Sequence, residues 1–541
     1  MNHQTFVSAT TAVAVALSTA VSAVAAPGVP TLTKLGTYST GEYQKSAAEI
    51  VAHDPATQRL YVVNALQTTV DVLDISDPTN PAKIGAIDLV PYGGVANSVA
   101  VKDGVLAVAV ESFKKTDPGA VVLFDRDLSA VSSVQVGSLP DMLTFSPDGR
   151  WLLVANEGEP NGYDGEGEPE SVDPEGSVSI IDLSKRASRV TQADVRTASF
   201  TAFNHAPLDP RIRIYGPNAT VAQDLEPEYI AVSHDSKTAW VTLQENNAIA
   251  RIDIRSAKVT SLVGLGLKDH SLARNGFDAS DRDDAAGTGP AINIRPWRTK
   301  GMYQPDSIAA YKVGSATYLI TANEGDARDW PGFGEEIRIA HADYRLDPDR
   351  FPDAATLKEN RNLGRLRATA ASGDLDGDGD YDEIWTFGAR SFSIWTAEGA
   401  LVADSGKELE EITASAYPTR FNASHDNNAL DARSPSKGPE PEGLAVGKAY
   451  SRTWAFIGLE RIGGLAIYDV SNPARPAFSS YVNNRDLEVT PSPQTLDAAG
   501  DLGPEGVLFI PEENSPTGRP LVVVGNEISG TTTIYEFALG K

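Results

Sequence analysis

Residues 374–382 read DLDGDGDYD, which places carboxylates at Asp374, Asp376, Asp378, Asp380 and Asp382, with Gly379 in sixth position. Acids on alternate positions around a glycine turn supply the hard oxygen ligands of a calcium loop through its ninth position. The twelfth position is Trp385 and not the bidentate Glu of an EF-hand, so an EF-hand pair is not expected. Five carboxylates this close repel one another unless a cation sits among them, and the spacing predicts calcium in a structural role.

A second acidic pattern is spread over the whole chain. One set of acids opens short apolar runs: Glu49, Asp141, Glu228, Asp306, Glu442 and Glu505, with Asn97 as a polar variant. Pro140, Pro227, Pro305, Pro441 and Pro504 stand immediately before five of them. A second set closes the next apolar run: Glu111, Glu157, Glu245, Glu324, Glu460 and Glu527, in segments such as LLVANE and YLITANE. If the first run leads into an antiparallel second, the start of one and the end of the other share a face, and both sets converge. Carboxylates so gathered need protons, hydrogen bonds or cations. Oxygen ligands in number favour calcium or magnesium, so a second divalent metal is expected at this ring. Arg328, Arg390 and Arg461 follow the same run ends and are candidates to bind phosphate bidentately or to neutralise the ring.

These acids are positioned by a repeat. After the two acid-bounded runs comes a third that alternates apolar and polar residues, as in TVDVLDIS, SVSIIDLS and GLAIYDVS, and then a shorter fourth. Four short strands per unit at a period near ~50 residues, without helical periodicity, are the mark of an all-β propeller of the WD40/YVTN-like kind. The segment 383–406 counts as an eighth unit, or seven blades result if it completes the blade before it. The N-terminal TLTKLGTYS reads as a fourth strand without a blade, predicted to pair with the last unit and close the ring. The calcium loop then falls between a first strand, RLRATAASG, and a second, EIWTFG, on the face opposite the acids. Long Gly-, Pro- and Asp-rich insertions separate other strands and are read mainly as solvated loops, some of them expected to cover the propeller face.

The balance of 46 Lys plus Arg against 73 Asp plus Glu, net −27, disfavours nucleic acid and anionic membrane and concentrates cations. The chain has no cysteine, so disulfides, thiolate zinc sites and cysteine nucleophiles are excluded. Residues 1–25 form a small and apolar run ending Ala23-Val24-Ala25, read as a signal peptide that directs residues 26–541, a single propeller, to the periplasm or the exterior. No second stretch is long enough for a stable membrane span. Motifs of zincins, P-loops, dinucleotide folds and serine hydrolases do not occur, and no catalytic residue stands out.

At ANEGEP, ANEGDARD, FGARSFSIW and VADSGKELE the sequence resembles the choice-of-anchor I family, which includes mesenchyme-specific cell surface glycoproteins of biomineralising tissue; it is also similar to secreted atypical alkaline phosphatases. The resemblance covers nearly the whole mature chain and implies an extracytoplasmic propeller with calcium- or phosphate-related biology, here without a C-terminal anchor segment. Two functions are expected from the same charges. One is a non-catalytic extracellular protein binding calcium or another divalent cation, with mineral or cell-surface ligands as partners. The alternative is a metal-dependent phosphoesterase acting on phosphate esters.

Overall fold

The computed structural model describes residues 29–163 and 171–539, so the expected signal peptide, 1–25, lies outside the described residues. Among them are seven four-stranded antiparallel sheets, each built from strands in radial order. Blade 1 runs Val51–Asp54, Arg59–Asn64, Thr69–Asp74 and Ala82–Asp88, and blade 2 runs Val95–Lys102, Val105–Glu111, Pro118–Phe124 and Ala130–Ser138. Blade 3 is Pro140–Phe145, Trp151–Asn156, Ser177–Asp182 and Val195–Ser199; blade 4 is Pro227–Val232, Thr238–Leu243, Ala248–Asp253 and Lys258–Gly264. Blade 5 is Ile308–Val313, Ala316–Asn323, Ser391–Thr396 and Leu401–Asp404; blade 6 is Pro441–Ala449, Arg452–Leu459, Leu465–Asp469 and Ala477–Val482. Blade 7 takes Pro504–Ile510, Leu521–Asn526 and Thr531–Leu539 from the C-terminal end, and its outer strand is Pro30–Ser39.

That last pairing, antiparallel from Pro30 opposite Leu539 to Ser39 opposite Thr531, closes the ring as the sequence predicts. It also covers the edge that Thr531–Leu539 would otherwise expose. Second strands are apolar on both faces because each blade is packed between two others; Leu60, Val62 and Val63, or Leu152, Leu153 and Val154, are fully shielded.

Of the two blade counts, the structure takes seven. The segment 383–406 is not an eighth blade: its Ser391–Thr396 and Leu401–Asp404 are the third and fourth strands of blade 5, paired on Ala316–Asn323. Its opening residues, Trp385–Thr386, leave the propeller and pair in parallel with Lys300–Met302.

The start of each first strand lies beside the end of the second, as Pro140 opposite Asn156, Pro227 opposite Leu243 and Pro504 opposite Asn526 show. Connections from second to third strand, and from one blade to the next, therefore all emerge on this same face. The long ones are 157–176, 200–226, 265–307, 324–390, 405–440 and 483–503. Several of them fold together as a cap and are more than solvated loops. Leu267–Asp269, Lys300–Met302 and Trp385–Thr386 make a small sheet, Glu336–Arg338 pairs with Arg367–Thr369, and Phe277, Trp297, Tyr344, Phe351, Leu366 and Ile384 form a separate apolar core.

The cap corrects the placement of the calcium loop. Residues 374–382 lie within the connection between the second and third strands of blade 5, on the acidic face and not opposite it. The supposed first strand of that unit, Arg367–Thr369, pairs with Glu336–Arg338.

Candidate functional site

The first-strand acids owe their aim to a recurrent irregularity. The register of first and second strand slips directly after Pro140, Pro227, Pro441 and Pro504, and after Ala96 in blade 2. The slip holds Asp141 or Asn97 alone, and Glu228, Glu442 or Glu505 together with the residue after it, so each sits on a bulge that frees it from the ladder and re-aims its side chain. The residue before the proline is left-handed in four blades: Leu139, Gln304, Glu440 and Gly503 have φ of 46°, 41°, 52° and 68°. Strain at three non-glycine positions in equivalent places marks a conformation that the surrounding structure imposes.

Glycine after the acid lets neighbouring first strands converge. A Cβ on Gly443 would stand 1.9 Å from the Glu505 carbonyl oxygen, and one on Gly506 2.4 Å from that of Glu49. Side chains of one blade also hold the acid-bearing backbone of another: Thr242 Oγ1 donates to the Asp306 carbonyl at 2.8 Å, and Asn97 Nδ2 to the Pro140 carbonyl at 3.2 Å.

Both predicted acid sets meet at this mouth. Carboxylate oxygens of Glu49, Glu505 and Glu527 lie within 4.8 Å of one another, as do those of Asp306, Glu324 and Glu442, and those of Glu324, Glu440 and Glu460. Burial raises the Glu49 carboxyl to about 8, with Glu527 and Asp141 adding like charge. Burial likewise brings Asp141 and Glu527 to about 7. Glu157, Glu228, Glu245, Asp306, Glu442 and Glu505 are pushed well above the carboxylate range, first by burial and then by neighbouring carboxylates. Glu111, beside Asn97 and Lys115, is raised by burial.

The ring is not electrically uniform. On the side of blades 5 and 6 it is partly neutralised, although burial still raises Glu324 and Glu460. Lys437 donates to Glu324 Oε1 at 2.5 Å, Gln244 donates to the other oxygen at 3.0 Å, and Arg433 and Arg461 each reach Glu440 at 2.5 Å. These cations hold the buried Glu440 well below the usual carboxylate range. The Glu49, Glu505 and Glu527 group has no such cation bonded to it among the described residues. Arg461 acts on Glu527 only at a distance, and Glu505 Oε2 is buried without a hydrogen bond. Unbonded buried oxygens also occur on Glu226, Glu245, Glu442 and Glu460. A buried acceptor left so is costly unless a proton, water or cation completes it.

The three arginines part company. Arg328 is buried in the cap's floor, its guanidinium bonded to Asp224 Oδ1 at 2.8 Å and to Glu226 Oε2 at 3.0 Å, and lying over the Tyr215 ring. Arg390 gives its four terminal donors to Glu410, to the Asp278 carbonyl and to the Ser434 and Ser436 carbonyls. Both tie cap to propeller, and their donors are committed to protein. Arg461 alone stands at the mouth, bonded to Glu440, Glu460 and His425.

In the loop, oxygens of Asp374, Asp376 and Asp382 lie within 4.8 Å of one another. Amides of Gly377 and Gly379 donate to the two oxygens of Asp374, and the amide of Leu375 to Asp382. Asp378 and Asp380 are not in that group; the Asp380 amide caps the Asp378 carboxylate at 3.1 Å.

Sequence reasoning missed Glu226, Glu440 and Lys437. The first two had a visible signal, since Glu226-Pro227-Glu228 and Glu440-Pro441-Glu442 carry an acid on both sides of the blade-opening proline. Lys437 had none: it arrives from a connection of irregular backbone.

Fold and mouth together define a capped seven-bladed propeller that gathers carboxylates at one end of its axis. The chain belongs to the choice-of-anchor I domain family, whose model matches residues 49–473, from the first ring acid into blade 6. It is 31% identical over 189 residues to Gigasin-3a of Magallana gigas, covering 33% of this chain and 66% of that protein. It is 27% identical over 354 residues to a mesenchyme-specific cell surface glycoprotein of Strongylocentrotus purpuratus, covering 59% of this chain and 41% of that one. The chain thus spans less than two thirds of the length of either relative. Among solved structures, Kuenenia stuttgartiensis hydrazine synthase superposes with a TM-score of 0.42 at 13% identity, over 91% of this chain and 96% of that chain. The Myceliophteria thermophila Cps50 (Swd1) β-propeller domain gives 0.43 at 9%, over 94% and 100%. The fold assignment rests on the sheet order and not on these scores.

Proposed function

We propose that this chain is an extracytoplasmic, non-catalytic propeller that binds calcium or a similar divalent cation at its acidic mouth and at the 374–382 loop. The carrying observation is the set of buried carboxylate oxygens without partners around the mouth, with Glu505 Oε2 beside Glu49 and Glu527 as the least compensated. Three carboxylates without a neutralising cation suit a hard divalent ion, and the loop offers a second oxygen set of the same chemistry. Work outside the cytoplasm is supported by the family, by a relative named a cell surface glycoprotein, and by the leader-like residues 1–25. No helix among the described residues is long and apolar enough to cross a membrane.

The phosphoesterase alternative draws little from the geometry, because Arg328 and Arg390 are bonded to protein groups in the cap and Arg461, the one candidate at the mouth, is bonded to Glu440 and Glu460. Equilibrium dialysis of the purified protein against calcium tests the proposal. The combined Glu49→Gln and Glu505→Gln variant is expected to lose bound calcium while Asp374→Asn loses a separate portion. Equal calcium in the mouth variant and the parent would refute the mouth as a site.

A further inference from the structure

A second acidic group lies away from the mouth, where two cap connections meet. Asp278 and Asp283 come from the connection between blades 4 and 5, and Asn422 and Asp431 from that between blades 5 and 6. Asp278, Asn422 and Asp431 are fully buried. Three oxygens here, Asp283 Oδ2, Asp431 Oδ2 and Asn422 Oδ1, are shielded from solvent and have no hydrogen-bond partner.

The orientation of Asn422 is determined by its neighbours. Its Nδ2 donates to Ser434 Oγ at 2.9 Å and faces Glu410 Oε1 at 3.4 Å; the flipped amide would turn its oxygen onto that carboxylate. Oδ1 is thereby left over. The Ser434 hydroxyl donates in turn to Asp431 Oδ1 at 3.0 Å, which ties Asp431 to Asn422 and leaves Oδ2 bare. Asp283 receives the Ala291 amide on Oδ1, and the Asn293 side chain lies beside it. Asp278 accepts the amides of Ser280 and Asn293.

Both Asn422 and Asp431 are held in the left-handed region, at φ of 49° and 61°. The pair is further fixed by the Asp431 amide donating to the Phe421 carbonyl and the Arg433 amide to the Asn422 carbonyl. Two of the three bare oxygens are thus carried by residues of the types that enter the left-handed region most readily, each with its backbone fixed there. Arg390 binds Glu410, and Arg365 and Arg282 bind Asp281; Arg295, which bonds Asn362, lends its charge to Asp283 and Asp278 but forms no ion pair with either among the described residues. Asp278 is raised to about 9 by burial and then by Asp431, and Asp431 to about 7 by burial with Asp283 among the contributing charges, so the groups are near enough to repel.

We infer that Asp283, Asp431 and Asn422, with Asp278 behind them, form a buried hard-cation site that takes calcium and staples the two cap connections together. Carboxylate and amide oxygens from irregular backbone are the ligand class and the flexible geometry that calcium accepts. The site shares no ligand with the mouth or the 374–382 loop and stands independently of both.

Crystals of the unsubstituted chain grown with manganese, a calcium surrogate visible by anomalous scattering, test it without any risk to folding. A peak between Asp283 and Asp431 is expected, and the same peak should vanish in Asp283→Asn, a change at a half-buried position. Absence of a peak there, or its persistence in Asp283→Asn, would overturn the inference. A peak at the mouth with none between the cap connections would sink this site and leave the mouth standing; the converse would do the opposite.

Discussion

At the scale of single residues, the mouth is a set of acids whose protons are bound more tightly in the fold than in the unfolded chain. Glu49 stands at about 8 and Asp141 and Glu527 at about 7, against 4.5 for a free Glu and 3.8 for a free Asp. A folded value above the unfolded one gives stability that is complete below the unfolded value and is lost as pH rises through the folded one. Chelated protein should therefore lose thermal stability as pH rises from about 4 to about 8, and calcium should remove most of that loss; a chelated protein equally stable at both ends would contradict the raised acids. Lys437 poses the complementary case. Lys437→Met leaves Glu324 and Glu440 with one cation fewer, and denaturant titration should show about 3–5 kcal/mol of lost stability. The sequon at Asn422-Ala-Ser is not a glycosylation site in the folded protein, because the Asn422 side chain is fully buried.

At the scale of elements, much was legible because each blade repeats the same physical problem. A proline-led bulge aims an acid inward, an apolar second strand is shielded on both faces, and a third strand alternates until it reaches a corner. The close approach of first strands can be tested at Gly443, where Gly443→Ala forces a methyl against the Glu505 carbonyl and should cost about 1–3 kcal/mol by chemical denaturation. An unchanged midpoint would mean that the blades can move apart there. The cap was not legible. Its strands are two or three residues long, and RLRATAASG and EIWTFG read as neighbours of one hairpin although their actual partners come from 336–338 and 300–302. Mistaking those partners moved the calcium loop to the wrong face. The loop's own spacing does not depend on those partners, and it carries its own test: Asp374→Asn with Asp376→Asn should lower the melting temperature in calcium and leave it unaltered in chelator, the reverse pattern counting against calcium.

At the scale of the whole molecule, a net charge of −27 is sorted by the fold. Acids at the ends of blade strands turn inward at one mouth, the cap brings Lys437 and Arg433 and blade 6 brings Arg461 against one side of it, and the side of blades 7 and 1 has no such cation bonded to it among the described residues. The convergence of the two acid sets could be read from strand direction alone. The neutralised half could not, because Lys437 and Arg433 come from a connection that has no periodicity. A binding protein of this kind should not hydrolyse p-nitrophenyl phosphate with or without calcium; turnover abolished by Glu324→Gln, with the fold intact, would restore the phosphoesterase reading. The mouth itself is tested most directly by the protons that calcium displaces, measured by titration calorimetry near neutral pH in two buffers of different ionisation enthalpy. Calcium entering among acids as raised as Glu49 and Glu527 must release protons, and the release should disappear in the Glu49→Gln and Glu505→Gln double variant. Calcium binding with no proton release in the parent, or with undiminished release in the double variant, would contradict a cation at the mouth.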